Sequence, residues 1–125
     1  MFRLIKIENA RMNVPEPVIY EANEAITAGE ALILSGGKLT KATTAPEFIA
    51  LASAPAGADV PVARITPDHV YEVPVTAAPT ALVPGDKVTL SEDALGVTTT
   101  TEGGVVTVVS LDGATAAGDT IIVRF

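Results

Sequence analysis

Ala25-Ile26-Thr27-Ala28-Gly29-Glu30-Ala31-Leu32-Ile33-Leu34-Ser35 aligns without a gap on Ala81-Leu82-Val83-Pro84-Gly85-Asp86-Lys87-Val88-Thr89-Leu90-Ser91. Gly118-Asp119-Thr120-Ile121-Ile122-Val123 repeats the second half, and Gly57-Ala58-Asp59-Val60-Pro61-Val62 is a fainter fourth copy. In the clearer copies a glycine suited to positive φ precedes an acid able to hydrogen-bond local N–H groups, and a largely β-branched or aliphatic run follows. The unit reads as a turn feeding a strand with one buried face. The copies are irregularly spaced, which excludes a solenoid and points to repeated strand starts in one small barrel or sandwich.

Outward from these copies, short alternating or β-branched runs closed by Gly, Pro or Asp continue along the chain. Strands are expected at 2–7, 18–21, 30–35, 38–42, 47–53, 59–65, 69–76, 86–91, 95–100, 105–110 and 120–124. Nine prolines leave little room for long helices. Gly36-Gly37, Gly103-Gly104 and Asp112-Gly113 are expected two-residue turns joining antiparallel neighbours, because such turns need positive φ. Pro67-Asp68-His69 and Ser91-Glu92-Asp93-Ala94 are expected to form single helical turns at most, the second with Ser91 as N-cap. The expected fold class is therefore all-β: one small antiparallel β-barrel or β-sandwich over residues 18–125. Residues 1–17 form an N-terminal strand and an extended arm, in which Pro15 and Pro17 enforce extension.

With 125 residues the chain suits one domain. It is 48% hydrophobic but carries only 3 Phe, 2 Tyr and no Trp, so its core is built from Val, Ile, Leu and Ala. Each such side chain buries little area, so a lone protomer is expected to be modestly stable and association to add to it. A net charge of −7 argues against nucleic acid and anionic membrane surfaces as partners. Residues 1–41 hold five bases and five acids, so the whole of the −7 lies in the remainder. The absence of cysteine removes disulfides, a thiol nucleophile and thiolate metal sites. The start alternates charged and apolar residues rather than forming a signal-type run, and no stretch reaches the roughly 20 apolar residues of a membrane helix. A soluble protein is expected.

Catalytic chemistry finds few candidates. His69 is the sole histidine and follows a turn, no Gly-x-Ser-x-Gly elbow is present, and a structural or solvated role is expected for it. One His and no Cys exclude an ordinary zinc site, and the acids lack calcium-loop spacing. Phosphate-binding glycine loops are absent. Val83-Pro84-Gly85-Asp86-Lys87-Val88 looks like the strand start of biotinyl- and lipoyl-type carrier barrels, but Lys87 leads into a strand instead of sitting at a hairpin tip, so it reads as an outward strand lysine. No cofactor, metal or small-molecule substrate is expected.

Several segments together resemble one family: Phe2-Arg3-Leu4-Ile5-Lys6-Ile7, Arg11-Met12-Asn13-Val14-Pro15-Glu16, Gly29-Glu30-Ala31-Leu32-Ile33-Leu34, Gly37-Lys38-Leu39-Thr40-Lys41-Ala42-Thr43, Pro61-Val62-Ala63-Arg64-Ile65 and Gly118-Asp119-Thr120-Ile121-Ile122-Val123-Arg124-Phe125. Over nearly the whole chain they are similar to the small capsid decoration, or cement, proteins of tailed bacteriophages and prophages. The resemblance implies a non-enzymatic virion protein, made in the bacterial cytoplasm, that binds the outside of an assembled head. It implies the major capsid protein as partner, a homotrimer, and bridging of neighbouring capsid subunits. The alternating start and the prolines behind it make Phe2, Leu4, Ile5, Val14, Pro15 and Pro17 the expected capsid-contact residues. Other readings of the same frame are a head-fibre or tail protein and a non-viral binding or adhesion module.

Overall fold

The computed structural model describes residues 1–7 and 17–125. Its strands are β1 (Arg3–Ile7), β2 (Pro17–Ala22), β3 (Ala31–Ser35), β4 (Lys38–Lys41), β5 (Phe48–Ala50), β6 (Asp59–Arg64), β7 (His69–Pro74), β8 (Lys87–Val88), β9 (Val106–Ser110) and β10 (Thr120–Arg124). Strands β2-β4-β3-β5-β6 close into a barrel, and β1-β7-β10-β9-β8 form a separate five-stranded sheet. The fold is all-β, as expected. Both alternatives are partly realised, since a barrel and a second sheet pack together. One barrel seam, β2 on β4, is parallel; the other pairings between named strands are antiparallel.

The repeated unit behaves as its residues dictate. Gly29, Gly57, Gly85 and Gly118 all have φ between 83° and 97°. In each turn the residue after the glycine donates its N–H to the carbonyl three residues back: Glu30 to Thr27 at 3.1 Å, Ala58 to Pro55 at 3.2 Å, Asp86 to Val83 at 3.1 Å and Asp119 to Ala116 at 3.2 Å. That bond with positive φ at the third position is the pattern of a type II turn. Each glycine N–H then reaches a neighbouring chain at 2.8 Å, on Ala50, Ala22, Val108 and Val75 respectively. Three acids complete the unit: Glu30, Asp86 and Asp119 accept the N–H groups of Thr27, Val83 and Ala116. The fourth copy has Ala58 there and lacks this bond.

The two units share an interior. Ala22, Ile26, Leu32, Leu39, Phe48, Ala50, Val60 and Val62 fill the barrel. Alternation along β9 and β10 turns Val106, Val108, Ile121 and Val123 into a second, larger core. That core also takes in Ala31, Ala42 and Ile49 from barrel elements, so the barrel's outer side is a wall of the sheet's core.

Three expected features differ. The 95–100 strand is reduced to bridges of Val97 with Val75 and Leu90. The 86–91 strand stops at Val88 because the chain changes partner there: Val88 O takes the N–H of Val105, whereas Thr89 N–H goes to Thr100 O. The segments 66–69 and 91–94 are turns rather than helical turns, closed by His69 N–H on Thr66 O and Ala94 N–H on Ser91 O. Gly36-Gly37 joins β3 to β4 with positive φ at both residues, as expected.

Gly104 has a different job from its neighbour Gly103. A Cβ at Gly104 would lie 2.3 Å from the Lys87 carbonyl oxygen, while one at Gly103 meets open space but at φ 71°. Gly104→Ala is therefore expected to destabilise by about 2–3 kcal/mol and Gly103→Ala by about 1 kcal/mol. Urea midpoints at unchanged slope measure both, and equal or reversed effects would contradict the close approach.

Candidate functional site

Phe2 begins at the seam between the units. Its N–H donates to Gly29 O of the barrel at 2.9 Å. Its ring packs on Phe125 at 5.2 Å and edge-on to Tyr71 at 6.2 Å, while Tyr71 meets Phe125 at 5.5 Å. At 2% exposure Phe2 is a core residue rather than an exposed one, although it also lines the adjoining groove. Burial is the physical reason: three of the chain's five aromatic rings gather here, where a small-residue core most needs volume.

Immediately beyond Phe2, β1 and the barrel part to leave a groove of about 370 Å³. Leu4 forms one wall; Pro17, Ala63 and Leu51 form the other. Strand register explains the barrel wall: Pro17 on β2 pairs with Ala63 on β6, which pairs with Ile49 on β5. One row further, Ile19 pairs with Pro61, whose carbonyl accepts the Leu51 N–H at 2.9 Å. Leu4 is 38% exposed, Ile5 43%, Leu51 49% and Ile19 63%. Among the described residues Arg3 is the one charged side chain lining the groove, and its guanidinium bridges Glu72.

Of the residues expected to make contact, Leu4 and Ile5 are exposed on β1, and Pro17 stands exposed at the groove. Val14 and Pro15 lie outside the described residues. Sequence reasoning missed Leu51, Ala63 and Ile19. A signal for Ile19 existed: Pro17-Val18-Ile19-Tyr20 is apolar without a break, although a strand with one solvated face should alternate. Leu51 lies within the apolar run Phe48-Ile49-Ala50-Leu51-Ala52, which reads as strand interior, and nothing local marks it as exposed.

The remaining polar groups are structural in their geometry. His69 is buried with Nδ1 3.5 Å from the Tyr71 hydroxyl. Burial first, and the Asp68 charge second, push the Tyr71 phenol up to about 12. Lys87 opens β8 with an exposed side chain. Among the described residues no group of three His, Asp or Glu is placed to hold a metal ion, and no helix is long and apolar enough to cross a membrane.

Comparison with known families decides what this frame is. The family described as "Phage cement protein" matches residues 13–125. The chain belongs to the phage cement protein family. Membership assigns a structural role associated with the phage capsid and points away from an enzyme. No curated protein matches this cement protein. Strand β1 lies outside the matched stretch, while the four glycine turns, the barrel and the rest of the sheet lie within it.

Glu30 and Asp119, in two of the cement protein's turns, carry opposite pH signatures. Desolvation raises the buried Glu30 carboxyl above its ordinary 4.5, against the lowering effect of the Thr27 N–H bond. The Thr115 and Ala116 N–H groups hold Asp119 below its ordinary 3.8. A lowered acid stabilises the fold above its unfolded pKa and loses that contribution as pH falls through the folded value; a raised acid opposes folding once ionised. Asp119→Asn is therefore expected to lower the melting temperature at pH 7 and to lose this effect below pH 3.8. Glu30→Gln is expected to compare more favourably with wild type at pH 7 than at pH 4. Thermal melts across this range check both signs, and pH-independent differences would contradict the assignment.

Proposed function

We propose that this cement protein binds the outer surface of an assembled phage head as a homotrimer, after synthesis in the host cytoplasm. There it stabilises the shell by bridging neighbouring major capsid subunits. Family membership across residues 13–125 is the observation that carries the reading. The chemistry of the chain agrees with it. An acidic, cysteine-free β-protein suits accumulation in a reducing compartment and gives DNA little to attract it.

Strand β1 is the proposed first point of contact. It is the edge of the sheet, it carries the exposed pair Leu4 and Ile5, and the sequence before Pro17 supplies the proposed extended arm. Trimerisation supplies the buried area that a core of small side chains lacks, and three copies offer the shell several simultaneous contacts.

Deleting residues 1–17 would remove Phe2 from the core, so surface substitutions are the sharper test. Leu4→Asp combined with Ile5→Asp is expected to keep the melting temperature within a few degrees and to weaken decoration of undecorated heads by at least about tenfold, roughly 1.4 kcal/mol or more. Unchanged occupancy on sedimented heads would contradict β1 as the contact. Light scattering across a dilution series is expected to give a species near three times 12.8 kDa. A monomer at every concentration would contradict the preassembled trimer.

A further inference from the structure

We propose that the groove between β1 and the barrel receives an extended apolar segment of a capsid shell subunit, laid along the open edge of β1 as an added strand. This rests on the capsid-binding reading above. Among the described strands the order β1-β7-β10-β9-β8 leaves one side of β1 without a neighbour. The Phe2 N–H already points across to Gly29 O, so this side of the strand faces the barrel. An inserted segment therefore has backbone groups on one flank and the apolar wall of Pro17, Ala63 and Leu51 on the other. Strand addition takes its affinity from such backbone groups and its selectivity from side-chain pockets.

Charge selects the occupant. The protein carries −7 overall, yet among the described residues no carboxylate lines the groove, and the Arg3 side chain there is already bridged to Glu72. Lys6 stands exposed on the same strand, so the matching segment is apolar through the groove and acidic where it passes Lys6. A second copy fits poorly. Two β1 edges would bring Arg3 and Lys6 of each against their like, and like charges directly opposed across strands are destabilising. The sheet's other edge, β8, is two residues long with Val88 buried, and so offers no apolar strand to insert.

The test uses the full chain bound to heads. A photoreactive benzoylphenylalanine replaces Leu51 on the barrel wall, with Val83, exposed and not among the groove residues, as control. The expected result is a crosslink from position 51 to a single stretch of the shell subunit, with none to that stretch from position 83. Independently, Ala63→Phe fills the groove and is expected to lower head occupancy at least tenfold while leaving the melting temperature nearly unchanged. Crosslinks from position 51 to a second copy or to residues 8–16 of the same chain overturn the proposal. So does full decoration by Ala63→Phe. In both cases decoration by the wild type leaves the capsid-binding reading standing, whereas failure of the wild type to decorate heads overturns both.

Discussion

A glycine amide that must cross from a turn into the neighbouring chain is the constraint on which this fold depends. At Gly29, Gly57, Gly85 and Gly118 the positive φ places that N–H at 2.8 Å from a carbonyl outside the turn. One local conformation thereby fixes both the direction of the outgoing strand and what it lies beside. Gly29 and Gly57 do this in the barrel; Gly85 and Gly118 do it in the sheet. Any residue with a Cβ is disfavoured at that φ, so each turn ties its glycine to tertiary structure as well as to local geometry.

The same economy governs the interior. With Val and Ala supplying most of its volume, the molecule concentrates aromatic bulk at the junction of its two units, in Phe2, Tyr71 and Phe125. Ala31, Ala42 and Ile49 belong to strand and turn segments of the barrel yet pack into the core of the sheet. The Ala31 N–H also donates to Ala94 O at 2.9 Å, so backbone and side chains cross the junction together. Barrel and sheet are consequently held as one packed body, with the groove opening where the junction ends.

Local chemistry was legible in the sequence and distant pairing was not. The glycine turns, the Gly36-Gly37 hairpin and most strands follow from residues adjacent in the chain, whose φ preferences and alternation act over a few positions. The closure of the barrel depends on the parallel pair of β2 and β4, which no local pattern announces. Leu90 and Val97 look like strand residues, yet the change of partner at Thr89 and the Ser91–Gly96 turn leave them only isolated bridges. Phe2 and Leu4 alternate alike along the start of the chain. Tyr71 and Phe125, both distant in the chain, cover Phe2, while Leu4 stays exposed at the groove. That groove draws its lining from β1, β2, β5 and β6 and the Gly29 turn, so its apolar wall appears as unrelated fragments in the sequence.

For a phage cement protein this division of labour is coherent. The turns and junction make the frame, and exposed apolar residues stand on and beside an edge strand of an acidic molecule. Such a surface gains most by meeting an apolar partner surface, since buried apolar area stabilises association. The most direct measurement of the cementing role is the temperature at which DNA-filled heads release their genome, with and without saturating protein. A rise that tracks occupancy is the predicted result. Saturating occupancy with no change in the release temperature would contradict it.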